Sequence, residues 1–254
     1  MLREPFTEKF YTYHSKYIEN VLALRQPQRE SLEIFARLCD ILTFSKEPNL
    51  GAELEAVHAL FPTLSSFERD FPSFCFALAT GIGKTRLMGA CIAYLRYEKG
   101  IKNFFVMAPN LTIYDKLKAD LGNTSNPKYV FKGLDLFAKP PRIIDGDNYA
   151  DFRQGTFGVN DVVINVFNIS KLNAESKGKN GEPARIKRLN EVLGTSYFEY
   201  LQSLPDLCIF MDESHHYHAD KSFDVINDLK PILGVELTAT PQIQKGAKAV
   251  PFKN

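Results

Sequence analysis

Cysteine is scarce: the 254-residue chain has four, Cys39, Cys75, Cys91 and Cys208, and none forms a Cys-x-x-Cys pair. That spacing argues against a disulfide scaffold or a cysteine-bound zinc site. Three of the four sit in apolar stretches (Phe74-Cys75-Phe76, Ala90-Cys91-Ile92, Leu207-Cys208-Ile209), the pattern of buried reduced thiols. Charge of one sign is also missing. Thirty-one Lys and Arg face 30 Asp and Glu, a formal net charge of +1, so the chain does not coat nucleic acid by bulk electrostatics, although a local basic patch stays open. No uninterrupted apolar run approaches the roughly 20 residues of a spanning helix, and Met1-Leu2-Arg3-Glu4-Pro5 begins no secretory leader. These absences predict a soluble, cytoplasmic protein. With 44% hydrophobic and 24% charged residues, the composition is that of a globular chain rather than a disordered or collagen-like one.

What is present changes character along the chain. Residues 1–44 read as helical, with Pro27 suited to a first helical turn and Leu32, Phe35, Leu38, Ile41 and Leu42 at helical spacing. Residues 45–72 are broken by Pro48, Gly51, Pro62 and Pro72, with a short helix expected around Ala52–Leu60. From Phe74 onward, short apolar runs recur at Phe74–Leu78, Phe104–Ala108, Val162–Phe167, Leu207–Met211 and Val235–Thr238. Their continuous hydrophobicity suits strands buried on both faces, and helical stretches separate several of them, which predicts an α/β fold with a mostly parallel sheet. The polar stretch Asn173–Arg188 reads as an exposed insertion. The expected division is a helical extension over 1–72 packing on a core unit over 73–254.

The strongest chemical signal is Leu78-Ala79-Thr80-Gly81-Ile82-Gly83-Lys84-Thr85, which follows a predicted strand and opens a helix beginning Arg86-Leu87-Met88. Glycines at 81 and 83 let the backbone curl and aim N–H groups at phosphate oxygens, and the helix N-terminus adds partial positive charge. Lys84 is expected at the β and γ phosphates, with the Thr85 hydroxyl on Mg²⁺. Leu78 stands where the strict phosphate-loop pattern has its first Gly, and the Thr-Gly-x-Gly-Lys-Thr form is the variant of nucleic-acid motors. A dinucleotide fingerprint would instead need Gly where Arg86 stands; a chance glycine turn is the bland alternative.

A second apolar run, Leu207–Met211, ends in Asp212-Glu213-Ser214-His215-His216. A buried strand ending in two acids sets both carboxylates at the carboxyl edge of the sheet, where parallel sheets bind ligands. Asp212 fits a Mg²⁺ anchor and Glu213 a base that polarises the attacking water. His215, His216 and His218 also allow a transition-metal hydrolase reading, with the two acids supplying oxygen. Leu237-Thr238-Ala239-Thr240-Pro241 ends another apolar strand, where Thr238 and Thr240 could bridge the acids to a ligand beyond. Upstream, Arg25 and Gln28 open a helix, and a Gln amide can pair with the adenine edge, against the alternative of a solvated helix-start residue. Met107-Ala108-Pro109-Asn110-Leu111-Thr112 follows the second strand and could present N–H groups and Thr112 to a nucleic-acid phosphate. The basic residues of the insertion, Lys177, Lys179, Arg185, Lys187 and Arg188, read more simply as a solvated loop.

In this order, Leu-Arg-x-x-Gln, Ala-Thr-Gly-x-Gly-Lys-Thr, Ala-Pro-Asn, Asp-Glu-Ser-His and Thr-Ala-Thr-Pro, the chain resembles the first RecA-like domain of superfamily 2 helicases. Within that group it most resembles the restriction (Res) subunit of type III restriction-modification enzymes, through Val166–Lys171, Arg188–Gly194 and Asp206–His216. The resemblance implies a RecA-like P-loop NTPase domain, using ATP and Mg²⁺, that acts on double-stranded DNA beside a methyltransferase (Mod) partner. It implies phosphate and Mg²⁺ binding by Thr80, Gly81, Ile82, Gly83, Lys84, Thr85 and Arg86, with Arg25 and Gln28 toward the base. Asp212, Glu213 and His215 would carry the metal and water chemistry, Thr238 and Thr240 the coupling, and Pro109, Asn110 and Thr112 the DNA contacts. Gln28 lies 56 positions before Lys84, a longer spacing than in compact helicases. Only 13 residues follow Pro241, so the second RecA-like lobe and the nuclease domain of the family are expected to lie outside this chain, which would then bind ATP weakly and hydrolyse it poorly alone. A superfamily 2 helicase or a nucleotide-binding module unconnected with restriction is the alternative reading.

Overall fold

The computed structural model describes residues 13–149, 161–168, 197–213 and 226–240. Three helices come first: α1 (Tyr13–Val21), α2 (Gln26–Ile41) and α3 (Leu50–Leu60). There follow β1 (Ser73–Ala77), α4 (Lys84–Lys99), β2 (Asn103–Ala108), α5 (Leu111–Gly122), a 3₁₀ turn (Asp135–Phe137) and β3 (Arg142–Asp145). The remaining described elements are β4 (Val163–Asn168), α6 (Tyr197–Ser203), β5 (Leu207–Asp212) and β6 (Leu233–Thr238). No helix among the described residues is long and apolar enough to cross a membrane.

The six strands form one all-parallel sheet in the order β1-β6-β5-β2-β4-β3. Parallel registry puts every strand's carboxyl end on the same edge, and the order places β6 between the strands that carry the glycine loop and the acid pair. Every residue of β4, β5 and β6 is buried, the mostly apolar side chains together with the polar Asn165, Asn168, Asp212, Glu236 and Thr238. One face of the sheet packs Phe104, Val106, Phe210 and Val235 against α1, α2, α4 and α5. The other packs Phe105, Ile209 and Met211 against α6.

Two features differ from the sequence expectation. β3 is a sixth strand, at the outer edge; with only Ile143 and Ile144 as apolar residues after Pro140-Pro141, it carries no run long enough to signal itself. Cys75 is exposed rather than buried, because β1 is the opposite edge strand and only its Phe74 and Phe76 side enters the core. Cys39, Cys91 and Cys208 are the buried thiols, and burial pushes all three well above the ordinary thiol range.

The helical extension is built into the core. Pro27 sits in the first turn of α2, where a missing N–H costs nothing, and the Arg25 N–H donates to Gln28 Oε1 at 2.8 Å. The Phe35 ring meets Phe76 and Tyr94 edge-on at 6.3 and 6.0 Å between centroids. Lys46 then donates to the carbonyls of Gln202 and Lys230 at 3.0 and 2.7 Å, tying the chain after α2 to the second face of the sheet. No hydrophobic break falls at residue 72; one cluster of buried side chains runs from Ile18 to Leu237.

A buried ion pair crosses the junction. Arg69 donates through Nε and Nη2 to Glu236 Oε1 at 3.1 and 3.0 Å, with side-chain exposures of 1% and 8%. Such pairs stabilise little over apolar residues but punish the loss of one partner. Glu236→Leu is expected to destabilise the chain by about 3–5 kcal/mol, and the double variant R69M/E236L to recover most of that. Chemical denaturation of the three chains checks the pattern.

Candidate functional site

Three loops meet at the carboxyl edge: those after β1, β5 and β6. The Leu78 N–H donates to the Thr238 carbonyl at 2.9 Å, continuing the β1–β6 ladder to the brink of the glycine loop. Gly81 and Gly83 then take φ values of +82° and +96°, in the left-handed region that side chains resist. Gly83 is constrained twice over, because a Cβ there would lie 2.6 Å from Gln28 Nε2. It is also the N-cap of α4, so the loop delivers Lys84 and Thr85 to the helix's first turn. A cavity of about 510 Å³ opens at this point. The loop, Asp212 and Glu213 line it together with Lys116, Asp120 and Lys128.

Lys84 Nζ stands 2.9 Å from Glu213 Oε1, a direct ion pair at the cavity wall. Glu213 has a left-handed backbone (φ +52°), which turns the chain sharply off the end of β5. Its second oxygen accepts from the Ala239 N–H at 3.4 Å, so one carboxylate touches both the glycine loop's lysine and the turn after β6. Asp212 is buried, and its Oδ1 has no hydrogen-bond partner among the described residues. Burial, and then the Glu213 charge, push its carboxyl above the ordinary range, with Lys116 and Lys84 pulling in the opposite direction. The Thr85 hydroxyl accepts from Lys116 Nζ at 3.0 Å. Asp212 and Thr85 line the same cavity, and a carboxylate with a hydroxyl is a hard-oxygen donor set of the kind Mg²⁺ takes; these two residues would hold it.

The other expected residues fall as follows. Gln28 is buried, which removes the solvated reading. Its Nε2 donates to the carbonyls of Ile82 and Gly83, both at 3.0 Å. Arg86 donates from Nη1 to the Leu22 carbonyl at 2.7 Å, so it braces α4 against the chain after α1. Arg25 is an exposed N-cap residue and Thr80 is exposed in the loop. Thr238 is fully buried, and its hydroxyl accepts from the Thr240 N–H at 3.1 Å, shaping the turn that Glu213 reaches. Pro109 is buried, whereas Asn110 and Thr112 are exposed; Asn110 Oδ1 caps α5 by accepting from the Ile113 N–H at 3.0 Å. His215, His216, His218, the 173–188 insertion and Pro241 lie outside the described residues.

The sequence reading missed Lys116, Asp120 and Lys128. Lys116 and Asp120 sit four residues apart on α5 and read in sequence as a solvent-facing helix pair. Only the packing of α5 beside α4 turns them toward the glycine loop.

An unneutralised buried acid weakens the nucleotide-free fold. Because the folded carboxyl of Asp212 titrates above its unfolded value, its contribution to stability declines as pH rises through that interval. Asp212→Asn is therefore expected to melt at a higher temperature than the parent chain at neutral pH in chelator, with the gap closing on acidification. Thermal melts across pH, with no nucleotide added, check this.

A sequence model of the family described as "Type III restriction enzyme, res subunit" matches residues 13–243. Among solved structures, the chain is similar to the SWI2/SNF2 ATPase core of Sulfolobus solfataricus, determined in complex with dsDNA. The identity is 18% and the TM-score 0.38, covering 66% of this chain and 27% of that one. No curated protein sequence matched. The chain belongs to the type III restriction enzyme Res subunit family, and its described strands form the all-parallel α/β sheet expected of a RecA-like domain.

Proposed function

We propose that this chain binds ATP with Mg²⁺ in the cavity at the carboxyl edge and couples its hydrolysis to action on double-stranded DNA, within a restriction enzyme that also contains a Mod methyltransferase. One observation carries the reading: the cavity pairs an anion seat with a cation seat. The glycine loop and Lys84 offer N–H groups and a positive charge to phosphate oxygens, while in the same cavity Asp212 presents a buried oxygen with no hydrogen-bond partner among the described residues.

Each residue has a role that its placement supports. Lys84 exchanges Glu213 for phosphate oxygens, and so releases the Glu213 carboxylate to orient and deprotonate water. Asp212 and Thr85 hold Mg²⁺, which when bound offsets charge on the phosphates. Since Glu213 Oε2 also accepts from the Ala239 N–H, withdrawal of Lys84 changes the balance of forces on the turn that Thr238 and Thr240 shape. That turn is the route by which nucleotide state reaches the rest of the machine. Pro109, Asn110 and Thr112 open α5 at the same edge, and the exposed Thr112 hydroxyl beside a helix N-terminus suits a DNA phosphate.

Calorimetry with ATP and Mg²⁺ tests the nucleotide site. Lys84→Ala is expected to weaken binding at least about tenfold, the scale of a charge-assisted phosphate contact; equal affinity would sink the assignment. Thr112→Glu is expected to keep nucleotide affinity while lowering duplex binding, read by fluorescence anisotropy of labelled DNA at low salt. Unchanged duplex binding would remove α5 from the DNA surface.

A further inference from the structure

Helix α5 also lines the cavity, and one of its charges stands on the expected metal ligand. Lys116 Nζ donates to Thr85 Oγ1 at 3.0 Å and lies 3.4 Å from Asp120 Oδ2. Asp120 is buried and anchored from behind by Asn126 Nδ2, which donates to its Oδ1 at 2.8 Å. The acid is thus fixed, whereas the lysine side chain is 47% exposed. Lys84, on the glycine loop, is engaged with Glu213. Lys116 therefore faces the Thr85 hydroxyl on one side and the Asp120 carboxylate on the other, at the mouth of the seat where Asp212 leaves an oxygen unpartnered.

We propose that Lys116 is the resident counter-cation of the metal seat: it holds the Thr85 hydroxyl in the nucleotide-free chain and must withdraw before Mg²⁺ takes that oxygen. This rests on the nucleotide reading above. An ammonium and a divalent cation sharing one oxygen repel strongly at such a distance, and the ammonium, half in water, is the one able to move. Asp120 gives it a place to go, since a rotation about the end of the lysine chain keeps the Lys116–Asp120 pair while breaking the bond to Thr85. Filling the metal seat therefore means displacing a charge, and Lys116 raises the Mg²⁺ concentration at which nucleotide is captured. Its role is positioning and competition; it touches the ligand hydroxyl and supplies no chemistry.

The test follows binding of a fluorescent ADP analogue (mant-ADP) to the 254-residue chain across Mg²⁺ concentrations. Lys116→Met is expected to lower the Mg²⁺ midpoint roughly fivefold, the scale of a partly exposed charge interaction. Lys116→Arg, which keeps the charge, is expected to stay near the parent value. A midpoint in Lys116→Met that is unchanged or higher overturns the proposal, because a lysine that only supports phosphate or metal would shift it upward or not at all. Lys84→Ala separates the two levels. If mant-ADP with Mg²⁺ binds Lys84→Ala as well as the parent chain, or binds neither, the nucleotide reading itself fails, whatever Lys116 does.

Discussion

The contact between Lys84 and Glu213 depends on the order of strands more than on either residue. Lys84 begins the helix after β1, and Glu213 follows β5, so in a sheet where β1 and β5 were far apart the two could not meet. Here a single strand, β6, separates them, and its own end supplies the Ala239 N–H that Glu213 also accepts. One carboxylate can therefore report on the glycine loop and on the turn beyond β6 at once. Everything the site does electrostatically follows from this closeness. Two adjacent acids at the end of a buried strand would repel strongly; the lysine compensates one of them and leaves the other, Asp212, poorly compensated.

That imbalance sits on a closely packed support. Among the described residues Asp212 keeps a buried oxygen without a partner, a feature that calls for an explanation in a native sheet. The rest of the sheet offsets the cost with apolar packing on both faces: Phe104, Phe210 and Val235 on one side, Phe105, Ile209 and Met211 on the other. α4, whose residues from Leu87 to Leu95 are all buried, fixes the direction in which Lys84 and Thr85 leave the loop. A strained left-handed Glu213 and an uncompensated Asp212 can persist because the strand behind them has no room to relax.

How much of this was legible in the sequence varies with how local each signal is. The strands β2, β4, β5 and β6 announce themselves because strands buried on both faces are predominantly apolar, with Asn165 and Glu236 as buried exceptions. The glycine loop announces itself because positive φ at 81 and 83 needs residues without a Cβ. The edge strands were harder. β3 is too short, and Phe74-Cys75-Phe76 looks uniformly buried although Cys75 points away from the core. Strand order is wholly non-local: nothing in residues 233–238 says that they lie between 73–77 and 207–212. Lys116 was invisible for the same reason. Its spacing to Asp120 describes an ordinary helix surface, and only the neighbouring helix makes it part of a site.

Gln28 shows how the structure narrows a reading that the sequence leaves broad. An amide has two hydrogens and two lone pairs on its oxygen. Here Nε2 serves the carbonyls of Ile82 and Gly83, and Oε1 already accepts from the Arg25 N–H. One lone pair on Oε1 is left, and no hydrogen. While the clamp on the glycine loop holds, the side chain can accept a hydrogen bond from an exocyclic amine such as adenine N6 but cannot donate to a ring nitrogen such as N7. Two-point recognition of adenine would require the loop to give up one of its carbonyl contacts, so base recognition and loop conformation compete for the same nitrogen. The helical extension is thereby tied to the phosphate loop through one buried side chain, and a base that engaged Gln28 fully would be felt at Gly83, the N-cap from which Lys84 and Thr85 depart.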